Sequence, residues 1–280
     1  MSSRHLFRQP LTWLLALLIS ACGSSSPLPR DTPLFFVLTT DGQLARFAVS
    51  NPGEVTAVGE VSGLAPGEAL IGMDFRPATG ALFAVGNQGG VYTLDTDTAE
   101  AMQVATLSAD GLTPLMPDGT AFGVDFNPVP DRLRIVSDSG QNLRANVDTG
   151  ETLIDGDLAY AMGDANNGAQ PAVVAAGYTN SRSGEVTATE LFVIDGGLDV
   201  LAKQDPPNDG VLNTRGMLGI EASSPMAMDI AARFDNTAYA AVNTLDGPQL
   251  LTVNLASGRA SMIGALGIEG EVLALSVMTP

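Results

Sequence analysis

The sequence predicts an all-β fold, a β-propeller of five blades, and three observations carry that prediction. From residue 34 onward the chain is a series of short apolar runs broken by Gly, Asp, Asn and Pro, beginning with "LFFVLTT", "QLARFAV" and "VTAVGEV". Few windows show the 3.6-residue stripe of an amphipathic helix, so the runs read as strands. The pattern also repeats. "GMDFRPATGALFAVGNQGGVYTLDTDTA" from Gly72 aligns without a gap on "GVDFNPVPDRLRIVSDSGQNLRANVDTG" from Gly123, an offset of 51, with nine of 28 positions identical. A period of about 50 residues of antiparallel strands is the mark of propeller blades.

The blade count follows from the period. A further copy starts at "AMDIAARFDNTAYAAV", where Asp229 lies 104 residues after Asp125, and the skipped copy falls on "VVAAGYTNS" with Tyr178 in the aromatic place. Residues 34 to 278 hold nearly five units of this length. The first unit has only three strands, Leu34 to Val61, and "EVLALSVMTP" leaves a lone strand at the C-terminus. Pairing the two closes the ring and hides two strand edges. Six blades is the alternative count. A β-sandwich is the competing class, and it leaves the 51-residue period unexplained.

Within a unit, Asp-Phe-x-Pro ends an inner strand, because proline cannot continue a β ladder. "DTG" (Asp148 to Gly150) and "ASG" (Ala256 to Gly258) read as hairpin turns in which Gly takes a positive φ. The second unit has Ala99 at that place, so its turn is expected to differ in type.

Ahead of this body stands a segment read as an address. Arg4, His5 and Arg8 precede a short apolar core, Leu11 to Ile19, the pattern of a secretory signal. It ends Ile19-Ser20-Ala21-Cys22, which resembles the lipobox of bacterial lipoproteins. The expected organisation is a signal peptide over 1–21, a lipidated Cys22 with a Ser/Pro-rich tether over 22–33, and one propeller domain over 34–280. Gly23 after the cysteine fits outer-membrane sorting in a Gram-negative cell. The expected localisation is therefore the cell envelope, with the membrane reached through a lipid anchor only.

Charge and composition exclude several functions. The formal net charge is −18; removing the signal leaves 11 cations against 31 acids, or −20. Lys203 is the only lysine. Nucleic acid needs many cationic contacts to phosphate and is not an expected partner. His5, the only histidine, leaves with the signal, and Cys22 is the only cysteine. Histidine general acid–base work, Ser-His-Asp hydrolysis, His-ligated metals and thiol chemistry go with them. No phosphate-binding Gly-rich loop of the P-loop or dinucleotide type is present.

The blocks "GVDFNPVPDRLRIVSDSGQNLRANVDTG", "YTNS", "TELFVID", "PPNDGVLNTRGMLG", "AYAAV" and "VNLASGRASMIG", in this order, resemble a bacterial family, the domain of unknown function 4394. The resemblance runs over nearly the whole chain after the tether. It implies one repeated β domain and transfers no catalytic residue.

The candidate site rests on scarce positive charge. Arg132, Arg134 and Arg144 stand where the second unit has Ala81, Phe83 and Thr93. Strand alternation puts Arg132 and Arg134 on one face, and Asn142, Arg144 and Asn146 on one face of the next strand. Both faces of a blade are packed, so these guanidiniums need partners; Asp125, Asp131, Asp138 and Asp148 are near in sequence. Two readings stand: an inter-blade ion-pair brace, or an anion or sugar-acid site in which guanidiniums grip a carboxylate or phosphate. "QDPPNDG" reads as a rigid turn exposing Asn208 and Asp209, and Tyr178, Thr179 and Asn180 could line the same mouth. Asp164 and Asn166 offer alternating oxygens of the kind calcium takes, although Asx-rich loops usually form turns. No other cofactor is expected. Asp74, Asp125 and Asp229 recur at one place in three units, which suits a structural role more than glycosidic acid–base work.

The expected function is a monomeric, lipid-anchored binding or protein-interaction module whose partner is a small molecule, a glycan or an envelope protein. The alternatives are a histidine-free, carboxylate-based hydrolase or lyase, with or without calcium, acting on a glycan or lactone, and an envelope assembly scaffold.

Overall fold

The computed structural model describes residues 32–222 and 225–278. The signal, Cys22 and most of the tether lie outside the described residues. Among the described residues, twenty-one strands form five sheets set around one axis, antiparallel apart from one two-residue edge strand. Blade 2 holds β4 (Leu70–Phe75), β5 (Leu82–Gly86), β6 (Gly90–Leu94) and β7 (Ala101–Thr106). Blade 3 holds β8 (Phe122–Asn127), β9 (Arg132–Ser137), β10 (Asn142–Ala145) and β11 (Thr152–Ile154). Blade 4 holds β13 (Val173–Tyr178), β14 (Leu191–Asp195), β15 (Val200–Gln204) and β16 (Val211–Met217), and the two-residue β12 (Ala159–Tyr160) adds parallel to its outer edge. Blade 5 holds β17 (Met226–Ala231), β18 (Thr237–Thr244), β19 (Gly247–Val253) and β20 (Ala260–Ala265).

Blade 1 joins the two ends of the chain. Strands β1 (Leu34–Thr39), β2 (Gln43–Ala48) and β3 (Thr56–Glu60) take the C-terminal β21 (Val272–Val277) as their innermost member. The β1–β21 register runs from Phe35 opposite Val277 to Thr39 opposite Val272. This is the closure that the three-strand start and the lone last strand predict, and the blade number is five.

Both faces of each blade are buried, so the strands carry apolar residues at consecutive positions rather than in alternation. On β1, Phe35 and Val37 pack toward blade 5, whereas Phe36 and Leu38 pack toward blade 2. Five apolar clusters result, one per interface between neighbouring blades. Each fully buried Phe or Leu in them contributes about 1.5–3 kcal/mol.

The turn at Ala99 does not differ from its sisters. Ala99 takes φ 61°, beside 78° at Gly150 and 77° at Gly258. Its N–H reaches the Asp95 carbonyl at 2.9 Å, as the Gly150 N–H reaches that of Asn146 at 2.7 Å. Asp95 Oδ1 also accepts the N–H groups of Asp97 and Thr98, which fixes the turn whatever follows. A left-handed alanine costs about 1–2 kcal/mol. Burial of its methyl group in the cluster between blades 1 and 2 offsets part of that.

Candidate functional site

Three of the predicted residues from blade 3 and two from blade 4 meet at the joint between these blades. Arg134, on the second strand of blade 3, is 1% exposed and is the largest fully buried side chain among the described residues. Its Nη1 donates to Asn142 Oδ1 and to Asp155 Oδ2, both at 2.7 Å. Nη2 donates to Asn208 Oδ1 at 2.7 Å, and Nε to the Tyr178 hydroxyl at 3.3 Å. Arg144 grips the same carboxylate in bidentate fashion, Nε to Asp155 Oδ2 at 3.1 Å and Nη2 to Oδ1 at 3.0 Å. Asn142 donates onward to the carbonyls of Gly156 and Pro207. Gln204 donates to Asn142 Oδ1 and Pro207 O, while its own Oε1 is buried without a partner. The 3₁₀ turn Pro207–Asp209 holds Asn208 against blade 3. Arrayed this way, the guanidinium ties two blades together and presents no open face to a ligand.

Asp155 and Gln204 are the members that sequence reasoning did not assign. Asp155 lies just past β11, beyond the acids that stand nearest the arginines in sequence. The nearer acids serve elsewhere. Asp131 and Asp148 both pair with Arg76 of blade 2, at 2.6 and 2.7 Å. Those bonds raise the Arg76 pKa, and the same contact lowers that of Asp148. Asp138 accepts from the Thr120 N–H and hydroxyl; burial raises its pKa, and these bonds more than reverse the effect. Arg132 turns away and donates to the carbonyls of Pro130 and Asp131. Asp209 is exposed at the turn.

Asn180 is separate from the arginines. It exchanges hydrogen bonds with Asn236 of blade 5 and lines a cleft of about 620 Å³ with Thr189, Glu190 and Arg215. The Asp164 carboxylate is filled by the chain itself. Oδ1 accepts from the Asn166 N–H and the Thr214 hydroxyl, and Oδ2 from the Thr214 N–H. Burial pushes its pKa up, but these bonds together hold it below the usual carboxylate value.

The recurring aspartates converge on the propeller axis. Asp74, Asp125 and Asp229 are 4%, 1% and 2% exposed, and one oxygen from each lies within 4.8 Å of the other two. Each latches the next blade. Asp74 Oδ2 accepts the Phe126 N–H at 2.8 Å, Asp125 Oδ1 the Tyr178 N–H at 3.1 Å, and Asp229 Oδ2 the Val277 N–H at 2.6 Å. Ser276, at the equivalent place on β21, bonds the Phe75 N–H and Asp74. Gly177 occupies the fifth place and supplies no latch, so Asp229 Oδ1 takes the Ile230 N–H itself. Two residues earlier on each inner strand stand Gly72, Gly123, Ala175, Ala227 and Ala274, around a void of only about 20 Å³. A Cβ on Gly123 would lie 2.6 Å from Ala176, so the strands approach too closely for anything larger there. Burial, and then mutual repulsion, push Asp74 and Asp125 well above the usual carboxylate range; burial pushes Asp229 up to about 6. Such a set of oxygens suits shared protons or a hard cation.

A larger opening lies on the face where the inner strands begin. It holds about 770 Å³ between blade 5 and the loop that leads into β21, lined by Glu221, Leu245, Asp246, Leu251, Met262 and Glu271 among others.

Comparison with known proteins adds the family and the fold. No curated protein matches the chain. Among solved structures, a protein of unknown function from Bacteroides thetaiotaomicron VPI-5482 is 15% identical over 85% of this chain and 56% of its own, with a TM-score of 0.50. A chain of the nidogen/laminin complex is 11% identical over 88% of this chain and 98% of its own, with a TM-score of 0.49. At these identities the likeness concerns the fold alone. The family model described as "Domain of unknown function (DUF4394)" matches residues 43–276, and the chain belongs to that family.

Proposed function

We propose that the mature chain is a lipid-anchored binding module of the bacterial cell envelope, held at the outer membrane through Cys22, and not an enzyme. One observation supports the binding reading above others: the carboxylates that converge are sealed on the axis. A carboxylate-based glycosidase uses two carboxyl groups in reach of substrate and water. Asp74, Asp125 and Asp229 instead each hold a backbone N–H of the neighbouring blade, beside a void of about 20 Å³. Arg134 is internal, and Asp155 already fills the fork of both Arg134 and Arg144. Among the described residues, the larger open cleft is lined by Glu221, Asp246 and Glu271 with no Lys or Arg, and in the other Glu190 is ion-paired to Lys203.

Two experiments test this. Metabolic labelling with palmitate is expected to mark the wild-type chain and to fail on Cys22→Ala; equal labelling of both refutes the anchor. Purified protein is expected to release no reducing sugar from envelope glycans and to open no lactone. Turnover that disappears in Asp125→Asn with folding intact would establish the hydrolase reading instead.

A further inference from the structure

We infer that the large cleft beside the start of β21 is the docking site for a partner polypeptide segment in which lysines or arginines flank bulky apolar side chains. The inference rests on the binding-module reading and gives it a surface and a partner chemistry.

The cleft combines an apolar wall with an acidic rim. Its wall is apolar and open. The β18–β19 hairpin, built of the longest strands of its blade, carries Leu245 at its tip, fully exposed at 107%, and Met262 beside it is 60% exposed. Leu251 and Val242 continue the wall inward to the core. Exposed apolar surface rimmed by polar groups marks an interaction site.

Its rim is acidic. Glu221, Asp246 and Glu271 line the opening, and no Lys or Arg does. None of the three carboxylates takes part in an ion pair among the described residues. The neighbouring cleft of about 230 Å³ continues the same field with Asp41, Glu60 and Glu68, again without a cation in its lining. The Thr40 N–H to Glu271 carbonyl bond, 2.9 Å, joins the two openings into one face.

Charge decides among occupants. A second copy of a chain of net charge −18 is repelled, as are anionic lipid headgroups. A bare cation has no use for Leu245 and Met262, and an apolar ligand alone has none for the acids. A basic-apolar segment satisfies both, with long cationic stems lying over apolar surface and their heads on the carboxylates.

The position suits a tethered protein. β1 starts at Leu34, at the Val277 end of β21, whereas the cleft lies at the Val272 end. The six residues between span about 17 Å at the ordinary strand rise. The chain therefore enters the propeller on one face and presents the cleft on the other.

The test uses the mature protein and a capped synthetic peptide with a Leu-Phe pair flanked on each side by two lysines. Calorimetric titration is expected to show one site. Affinity should fall at least about tenfold in the Glu221→Gln/Glu271→Gln variant, and several-fold in Leu245→Ala. Asp97→Asn, a distant exposed acid, should bind as wild type does, as should the protein at unchanged ionic strength after removal of its anchor. A peptide with Gly-Ser in place of Leu-Phe should lose most of its affinity. Equal binding by the double variant, equal loss in Asp97→Asn, or equal binding of the Gly-Ser peptide overturns the proposal, since each means diffuse attraction to an acidic protein. No binding by wild type overturns it too. That result leaves the binding-module reading standing if palmitate labelling and the absence of turnover hold, so the two can fail separately.

Discussion

The joint between blades 3 and 4 and the joint between blades 5 and 1 are made from the same kind of strands, yet they place charge in opposite ways. Between blades 3 and 4 a guanidinium lies inside, its N–H groups on Asp155, Asn142, Asn208 and Tyr178. Between blades 5 and 1 the interior is apolar, with Phe35 stacked on Phe47 and edge-on to Tyr239. There the acids stand outside, around an open cleft and without cationic partners. Charge with internal partners fixes the geometry of blades; charge without them remains for a ligand. The scarcity of cations makes the contrast sharper, because this chain has few arginines to place anywhere.

Substitutions can break or sharpen that comparison, and the largest effect belongs to the buried joint. Arg134→Ala empties the space of a fully buried side chain, removes the donor to Asn142 and Asn208 and leaves Asp155 with Arg144 alone; it should cost about 3–5 kcal/mol, read as a shift in the midpoint of urea unfolding. A variant that melts like wild type would show that the guanidinium is not a brace. Arg144, with its side chain 25% exposed on the same carboxylate, is the graded control: Arg144→Ala should cost about 1 kcal/mol.

Next in size is the axis. Asp229 has a folded pKa pushed up to about 6 against an ordinary 3.8. Its contribution to stability is therefore full below about pH 3.8 and is lost as pH rises through about 6. The shift corresponds to about 3 kcal/mol. Asp229→Asn keeps an acceptor for the Val277 N–H and removes the titration. It should melt higher than wild type above pH 6 and flatten the curve between about pH 4 and 6, the gain reduced by the hydrogen bond lost to Ile230. If Asp229→Asn instead lowers the melting temperature near neutral pH, and chelator does the same to wild type, a bound cation holds the triad ionised. The smallest effect belongs to the cleft. Glu221→Gln/Glu271→Gln should change stability by no more than about 0.5 kcal/mol, since neither carboxylate supports the fold.

The blades were legible in the sequence because the repeat is local: Asp-Phe-x-Pro and the Asx turns recur at a fixed offset, and each repeat contains its own hairpins. The closure was legible too, because a three-strand start and a single last strand complement each other. In sequence, Arg134 and Asn142 read as one candidate, and Asn208 and Tyr178 as another; the structure brings all four together. Their acid partner was not found, because Asp155 comes to them by a turn after β11 and not by strand alternation. Arg76 stands inside the Asp-Phe-x-Pro motif, but nothing local marks it, since its partners, Asp131 and Asp148, lie 55 and 72 residues on, across a blade interface. The cleft had no local signal at all. Glu221, Asp246 and Glu271 come from three separate loops, and only the closure of the ring brings them to one rim.

The central claim is that charge inside this propeller builds the blades while the outer cleft takes the ligand. Backbone amide NMR of the mature protein, titrated with the basic-apolar peptide, tests it most directly. The shifts should cluster at Glu221, along the β18–β19 hairpin, and at Met262 and Glu271, with Arg134, Asn142 and Asn208 unmoved. Shifts centred on those three residues, or spread evenly over the acidic surface, would contradict the account.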